Sequence, residues 1–365
     1  MRPQSLVSLL IPALAAIVGS ANADCPSLAS GFKFKDLNAT VLSSTYIPAW
    51  SNVTIGGGQG LNCQNYTVPE VDLCRVIVNV TTTYRSSSYI EVWLPSGTGN
   101  GSWNGRFLST GGSGLSGCVD YDAMTYTTSL GFASTGDNSG HDGSVGNGKP
   151  FFNNSDIVVD FAWRARHSAV LVGKQLTQKY YGHAHKKSYY YGCSTGGRQG
   201  FKAAQMFPED FDGIIAGAPA SDFNHLNTWS GHFILLTGLN STDPRYLGLS
   251  QWTAVHEEVR NQCDILDGVA DGILEDSSIC NFNPESILCS RTNTTGCLTT
   301  TQAQTVRAVF SPLYGINNTF VYPRLSPSAE LPSFEAVGFG ALGGGLTGPG
   351  PVRTLYSCSR QTATC

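Results

Sequence analysis

Charged residues are scarce in this chain, and the basic ones are not clustered. Of the 365 residues, 22 are lysine or arginine and 26 are aspartate or glutamate, which gives 13% charged residues and a net charge of −4. A protein that binds nucleic acid or an anionic membrane surface presents a basic patch, because phosphate charge dominates such affinity. The composition therefore argues against both kinds of partner.

Long apolar runs are also absent. A transmembrane helix needs about 20 consecutive apolar residues, and the apolar stretch near the N-terminus, residues 6–18, is shorter. Arg2 precedes that stretch and a small-x-small sequence (ANA, 21–23) follows it. Residues 1–23 are therefore predicted to be a secretory signal peptide, and the mature chain would begin near Asp24.

Cysteines, in contrast, are plentiful. All eleven follow the predicted signal peptide, and secretion predicts that they are oxidised, with one left over because the number is odd. Sequons of the type N-x-S/T agree with export, and their asparagines are Asn38, Asn52, Asn65, Asn79, Asn100, Asn153, Asn240, Asn293 and Asn317. We therefore expect a secreted, extracellular glycoprotein with disulfide bonds.

The most informative motif is G-x-S-x-G at residues 192–196, within YYYGCSTGGRQG (189–200). The three tyrosines indicate the end of a buried strand, and residues 199–207 are predicted to form the following helix. A serine at such a sharp turn projects from the top of a sheet, where a base can reach its hydroxyl. Ser194 is therefore the predicted nucleophile. The alternative is a plain glycine-rich loop, because the chain holds 42 glycines.

A second glycine-rich stretch, GGSGLSG at 111–117, follows a predicted strand at 105–110. Such a loop lets backbone N–H groups point at a ligand, and in an esterase it supplies part of the oxyanion hole. The N–H groups of Gly111 and Gly112 are predicted to form one half of that hole. The N–H of Thr195, directly after the serine, is predicted to form the other half.

Strands and helices alternate through residues 24–220. Apolar and polar side chains alternate in 74–83 and 87–94, which predicts a hairpin. Further strands are predicted at 130–135, 186–192 and 211–219, with a helix at 156–181. Residues 24–72 are interpreted as a disulfide-tied N-terminal wrap. The alternation predicts an α/β fold with catalysis at the carboxyl ends of its strands.

From about residue 221 the pattern becomes less regular, which indicates a lid inserted over the sheet at 221–335. An irregular tail rich in glycine and proline follows at 336–365. Within the lid, the sequence CDILDGVADGI (263–273) offers five oxygen ligands suited to Ca²⁺, namely the carboxylates of Asp264, Asp267 and Asp271 and the carbonyls of Val269 and Ile273. The alternative is an acidic, solvated turn, but three carboxylates without a nearby counter-cation favour the metal.

With these motifs the chain resembles the fungal tannase and feruloyl esterase family of secreted serine esterases. The resemblance rests on residues 189–200, on DGIIAGAPA at 212–220, on the glycine loop at 111–117 and on the loop at 263–273, and it covers roughly 24–325. It implies an α/β-hydrolase core with a mostly parallel sheet, Ser194 as nucleophile and a structural calcium ion in a large lid. It also implies the disulfides Cys25–Cys74, Cys63–Cys118, Cys263–Cys280 and Cys289–Cys297.

The resemblance also implies a triad acid and a histidine, which this sequence does not place. In the family, the cysteine before the nucleophile bonds a cysteine adjacent to the catalytic histidine, but no cysteine here adjoins a histidine. After Ser194 the histidines are His225, His232 and His256, all before the calcium loop. The tail does not resemble the family's C-terminal segment. The C-terminal part of the core is therefore expected to be missing, as in a truncated or frame-shifted product.

The sequence thus predicts a secreted carboxylic ester hydrolase of the feruloyl esterase or tannase type. It would cleave small or cell-wall-linked phenolic esters through a serine acyl-enzyme. The alternative is an impaired or inactive secreted glycoprotein on the same scaffold, because two triad members are not found. A lipase fits less well, since the lid does not have the pattern of an apolar amphipathic helix.

Overall fold

The computed structural model describes residues 24–55, 63, 66–97, 99–143, 148–292 and 294–331. The predicted signal peptide, the predicted tail, Cys358 and Cys365, and the sequon asparagines Asn65 and Asn293 lie outside these ranges. Within them, no helix is both long and apolar enough to cross a membrane.

The described residues form β-strands and α-helices of different lengths. The strands are β1 (Ala39–Ile47), β2 (Val53–Thr54), β3 (Tyr66–Thr67), β4 (Leu73–Thr83), β5 (Ser86–Pro95), β6 (Arg106–Thr110), β7 (Ala133–Asp137), β8 (Lys187–Cys193), β9 (Gly213–Gly217), β10 (Leu313–Tyr314) and β11 (Phe320–Tyr322). The α-helices are α1 (Tyr121–Ser129), α2 (Ser155–Val159), α3 (Ala165–Tyr181), α4 (Thr195–Met206), α5 (Phe223–Thr237), α6 (Leu249–Cys263) and α7 (Thr300–Val309). A π-helical segment, Asp160–Arg164, joins α2 to α3.

Seven strands build one mixed sheet in the order β1-β4-β5-β7-β6-β8-β9. The pairings from β1 to β7 are antiparallel, whereas those from β7 through β6 and β8 to β9 are parallel. Five of the seven strands (β4, β6, β7, β8 and β9) therefore run in one direction. This arrangement confirms the predicted α/β class and places the carboxyl ends of β6, β7 and β8 along one edge of the sheet.

Two elements differ from the prediction for the N-terminal half. The wrap assigned to residues 24–72 contains β1, which pairs with β4 as an edge strand of the sheet. Its side chains alternate only between half-buried and exposed, so the apolar periodicity of a strand is weak. Helix α1 was not predicted, although Asp120 accepts a hydrogen bond from the Ala123 N–H and so caps its N-terminus.

The hydrophobic core lies between the sheet and α3. Branched side chains of β4 and β5, such as Val78 and Ile90, are fully buried against Ala169, Val172 and Leu176 of α3. Burying a valine, leucine or isoleucine contributes about 1.5–3 kcal/mol, so this contact holds the helix to the sheet. The predicted helix at 156–181 is interrupted by the π-helical segment but ends, as expected, at Gly182, whose φ is 77°.

Residues after β9 have an apolar cluster of their own. Phe233 of α5, Trp252 of α6 and Val306 of α7 are buried in it. Two disulfides, Cys263–Cys280 and Cys289–Cys297, lie in this part, while Cys25–Cys74 ties the N-terminal part to β4 and Cys63–Cys118 ties it to the segment before α1. These are the four pairs that the resemblance implies. The domain boundaries at 220 and 335 stay a prediction.

Candidate active site

Ser194 lies at the turn between β8 and α4, and its backbone has a positive φ. Its angles are φ 59° and ψ −116°, a conformation that costs a non-glycine residue about 1–3 kcal/mol. Neighbouring backbone holds it there, because the Ser194 N–H donates to the Gly217 carbonyl at 3.0 Å and the Arg198 N–H donates to the Ser194 carbonyl at 3.1 Å. The side chain is exposed, and its hydroxyl has no hydrogen-bond partner among the described residues. The turn therefore presents the hydroxyl to an incoming ligand.

The glycines around Ser194 allow two backbone segments to touch. A Cβ atom on Gly196 would lie 2.9 Å from the carbonyl oxygen of Gly112, and one on Gly192 would lie 2.8 Å from the carbonyl carbon of Gly196. Real Cβ contacts are not that short. The small residues of the motif are therefore required because the glycine loop packs directly on the first turn of α4.

Residues of α4 fasten the glycine loop to the helix that follows Ser194. The Thr195 hydroxyl donates to the Gly114 carbonyl at 2.7 Å, and the Gly196 N–H donates to the Gly112 carbonyl at 2.8 Å. The Gly112 N–H donates to Gln199 Oε1 at 3.2 Å. These three bonds make the loop and the start of the helix one rigid unit.

The N–H groups of Gly111 and Gly112, predicted to line the oxyanion hole, have other hydrogen-bond acceptors in this structure. The Gly111 N–H donates to the Tyr191 carbonyl at 2.8 Å and so continues the sheet, while the Gly112 N–H is engaged by Gln199. Neither is free to bind an anion in this arrangement. Thr195 differs, because it is the first residue of α4, where an N–H has no acceptor within the helix. Its N–H remains the donor that the sequence predicts.

Two residues beside the nucleophile were not singled out from the sequence. Gln199 is 4% exposed and donates through Nε2 to Ser139 Oγ at 3.4 Å and to the Phe161 carbonyl at 3.3 Å. Arg198 lies with its guanidinium carbon 3.8 Å from the centre of the Phe223 ring. Both follow Ser194 in the motif GGRQG. Long polar side chains in the first turn of the helix are the sequence feature that could have identified them.

Arg198 gives the site a partly desolvated cation. Burial lowers the pKa of its guanidinium, and its Nη1 atom has no hydrogen-bond partner among the residues that the structure describes. Nη2 lies 3.4 Å from the Thr195 hydroxyl, which places the charge close to the predicted oxyanion donor. Phe223 begins α5, so the part of the chain after β9 supplies the aromatic ring that packs on this cation.

No histidine hydrogen-bonds to the Ser194 hydroxyl, although all seven histidines lie within the described ranges. His141 is held by carbonyl oxygens of Ser139 and Leu115. His225 pairs with Asp222 at 3.0 Å. The triad histidine and acid therefore stay unassigned.

Two other histidines pair with carboxylates and connect elements of the fold. His167 Nδ1 lies 2.7 Å from Asp210 Oδ2, and its ring stacks on Phe207, so the pair joins α3 to the segment after α4. His256 Nδ1 lies 2.6 Å from Glu330, which is fully buried. Both histidines are held where the serine is not within reach of a hydrogen bond.

Cys193 ends β8 and is exposed, with a free thiol in the described part of the chain. A Cβ atom on Gly217 would lie 3.5 Å from its sulfur, so the thiol lies along the edge strand β9. The partner that the resemblance implies for this cysteine is not placed.

The aspartates predicted to bind calcium fold the 263–273 loop back on itself. Asp264 accepts from the Gly272 N–H at 2.9 Å, and Asp267 accepts from the N–H groups of Val269 and Glu275 at 3.1 and 3.0 Å. The bonds from Glu275 and then Val269 lower the pKa of Asp267. Their oxygens are chemically suited to Ca²⁺. However, nowhere in the described chain do three or more acidic, histidine or cysteine side chains converge into a metal-binding group.

Comparison with known proteins adds a family to this geometry. A family model described as tannase and feruloyl esterase matches residues 74–331. A probable feruloyl esterase B-1 from Aspergillus oryzae is 46% identical over 323 residues, which is 87% of this chain and 58% of the relative. A probable feruloyl esterase B-2 from Neosartorya fischeri is 44% identical over 91% of this chain and 62% of the relative.

Solved structures agree on the architecture. The crystal structure of feruloyl esterase B from Aspergillus oryzae superposes with a TM-score of 0.78 at 44% identity, over 87% of this chain and 61% of that one. The tannin acyl hydrolase from Aspergillus niger has a TM-score of 0.63 at 21% identity, over 80% and 55% of the two chains, and it supports the fold alone. The chain thus spans about 58–62% of the length of its feruloyl esterase relatives. On the family model and these relatives, the chain belongs to the tannase and feruloyl esterase family, with its α/β-hydrolase fold.

Proposed function

We propose that this chain carries the nucleophile and part of the oxyanion hole of a serine carboxylesterase that cleaves phenolic esters. The observation that carries the proposal is the backbone of Ser194, held at a positive φ with an exposed hydroxyl. Strain of this kind persists only where the surroundings over-determine it, and it clusters at functional sites. The family membership makes ester hydrolysis the chemistry that such a serine serves.

The residues around the serine have distinct roles in the proposed reaction. Ser194 Oγ attacks the ester carbonyl carbon, the alcohol leaves, and water later releases the acid from the acyl-enzyme. The Thr195 N–H stabilises the oxyanion that forms in each step. Thr195, Gly196 and Gln199 hold the glycine loop against the helix, so the backbone around the serine keeps its shape.

An aromatic acyl group suits the surroundings of Ser194. The Arg198 guanidinium, whose Nη2 lies 3.4 Å from the Thr195 hydroxyl, packs on the Phe223 ring, and a planar phenolic ring packs well against such a surface. The feruloyl esterase relatives are 44–46% identical to the chain, whereas the tannin acyl hydrolase is 21% identical. We therefore favour a feruloyl-type ester over a galloyl ester.

A second candidate function is a secreted glycoprotein that keeps the scaffold but does not turn over. The specific observation in its favour is that no histidine hydrogen-bonds to the Ser194 hydroxyl. A serine without a base is a weak nucleophile, and loss of triad members removes about 10⁴–10⁶ of rate.

A burst assay distinguishes the two functions. The chain is mixed with an excess of 4-nitrophenyl acetate, and release of 4-nitrophenolate is followed by its absorbance at roughly 400 nm. Catalysis by Ser194 predicts a burst of about one equivalent that is lost in Ser194→Ala and retained in Ser27→Ala, an exposed serine elsewhere. No burst in the wild-type chain would favour the non-catalytic protein.

We also propose that the 263–273 loop holds a structural Ca²⁺ and that the protein is secreted. The oxygen-rich loop supports the first proposal, and binding would require the three aspartates to turn toward a common centre. The four disulfides support the second, because disulfides persist in oxidising compartments.

A further inference from the structure

An open cleft of about 550 Å³ lies beside the outer strands of the sheet. Ile77 and Asn79 of β4 form its floor with Ser87 and Tyr89 of β5. Asn79 pairs directly with Tyr89, and alternate side chains of a strand share one face, so these four side chains lie together. Residues within 138–142, directly after β7, also line the cleft. The volume is in the range of small-molecule sites, roughly 300–1,000 Å³.

The cleft is separate from the candidate active site. β5 lies three strands from β8 in the sheet order, and neighbouring strands are about 4.8 Å apart, which gives a separation of about 14 Å. Neither Ser194 nor the glycine loop lines it. A ligand in the cleft would therefore leave the nucleophile uncovered.

Apart from Asp142, the polar groups of the cleft are neutral or already paired. Arg85 is bound to Asp156 at 3.0 Å, so its charge is not available to an anion. Asn138 Oδ1 accepts from the Tyr89 and Gly140 N–H groups. The amide of Asn79 and the hydroxyl of Ser87 have no hydrogen-bond partner within the ranges that the structure describes.

A carboxylate and an apolar surface complete the lining. Partial burial raises the pKa of Asp142, whose bond from Asn138 opposes that shift. Ile77, Leu42 and Ile157 supply the apolar part. An amide, a hydroxyl and a carboxylate beside an aliphatic surface match a ligand with many hydroxyl groups on one edge and a C–H face on the other.

We propose that this cleft binds a single neutral sugar ring. Two sources could supply such a ring. Asn79 begins the sequon Asn79-Val80-Thr81, so the first residue of an N-glycan on Asn79 would lie in the cleft. A saccharide taken from solution has the same hydroxyl and C–H chemistry. Neither source depends on the reactivity of Ser194.

The test uses the full chain secreted from a eukaryotic host. Glycopeptide mass spectrometry reports whether Asn79 is modified. Saturation-transfer NMR reports binding of free N-acetylglucosamine and of methyl β-D-xylopyranoside. Thr81→Val removes the sequon but keeps Asn79, and Ser87→Leu fills the cleft from an exposed strand position. Asn52→Gln removes a sequon at an exposed site outside the cleft and serves as the control.

The covalent source is supported if Asn79 carries a glycan and free sugar gives saturation-transfer signals with Thr81→Val but not with the wild type or Asn52→Gln. An unmodified Asn79, with signals in wild type that Ser87→Leu weakens more than about fivefold (the loss of about one hydrogen bond), supports the free source. The proposal is overturned if Asn79 is unmodified and neither sugar gives a signal. If the wild type carries a glycan on Asn79, the proposal is also overturned when Thr81→Val binds no sugar. It is overturned as well if Ser87→Leu has the circular dichroism of the wild type and binds sugar as the wild type does.

Discussion

Gln199 Oε1 accepts a hydrogen bond from the Gly112 N–H at 3.2 Å, so the helix after the nucleophile holds the loop that precedes it by about 80 residues. The same side chain reaches Ser139 and the Phe161 carbonyl. One buried amide therefore connects the carboxyl ends of β6, β7 and β8 around Ser194.

Gln199→Leu should destabilise this connection. The substitution leaves the Gly112 N–H without its partner in a buried place, and an unsatisfied buried polar group costs about 1–3 kcal/mol. We expect that loss in the free energy of unfolding, measured by urea denaturation. Gln205→Leu is the matched control, because Gln205 lies exposed on the same helix and should change stability little. Equal stabilities for the two variants would contradict the role of Gln199.

Ser194→Gly should be more stable than Ser194→Ala. Glycine tolerates a φ of 59°, whereas alanine keeps the strain of the serine. Relief of strain exceeds the larger chain entropy of unfolded glycine, and we expect a difference of about 1 kcal/mol in thermal or urea unfolding. Both variants lack the hydroxyl, so the comparison isolates the backbone. An alanine variant as stable as the glycine variant would show that the turn is not strained.

Arg75→Met should strongly destabilise the sheet. Glu91 is fully buried and accepts from Arg75 Nε at 2.8 Å, and it also accepts from Tyr89, Tyr121 and Trp93. Breaking a buried ion pair by removing one partner costs about 3–5 kcal/mol. Arg307→Met, which removes the exposed pair with Glu285, should have a much smaller effect. Similar losses in both variants would contradict this account.

The same pair predicts how stability depends on acid. Burial alone would raise the pKa of Glu91, but the bonds and charge of Arg75 lower it below its usual value of 4.5. The stabilisation is thus present above about pH 4.5 and is lost as the pH falls through the lower folded-state pKa. Urea titrations between pH 6 and pH 3 (roughly the window set by these pKa values) should show the wild type losing more stability than Arg75→Met. The reverse order would count against the pairing.

Calcium should stabilise the chain if the 263–273 loop binds it. Ca²⁺ that binds only the folded state raises the unfolding temperature, and EGTA should lower it. Asp267→Asn should abolish this response. Asp276→Asn should retain it, since Asp276 lies outside the loop and caps a short helix by accepting from the Ser278 N–H, which asparagine can also do. Identical unfolding temperatures in Ca²⁺ and EGTA would rule the site out.

Much of this fold follows from local patterns in the chain. The alternation in β4 and β5 and the apolar run of β8 place the strands within a few residues, because buried side chains repeat with the period of the element. β1 was not predicted, because it is an edge strand whose side chains are never fully buried. The sequence did not predict the acceptors of the Gly111 and Gly112 N–H groups, because only the tertiary fold brings Tyr191 and Gln199 next to them.

The identity of the nucleophile is tested most directly by locating the acyl group. After brief mixing with an activated aryl ester and acid quenching, intact and peptide mass spectrometry should find one acyl group, on the peptide that contains Ser194. The account predicts that adduct in the wild type and none in Ser194→Ala. An acyl group on another residue, or equal labelling of Ser194→Ala, would contradict it.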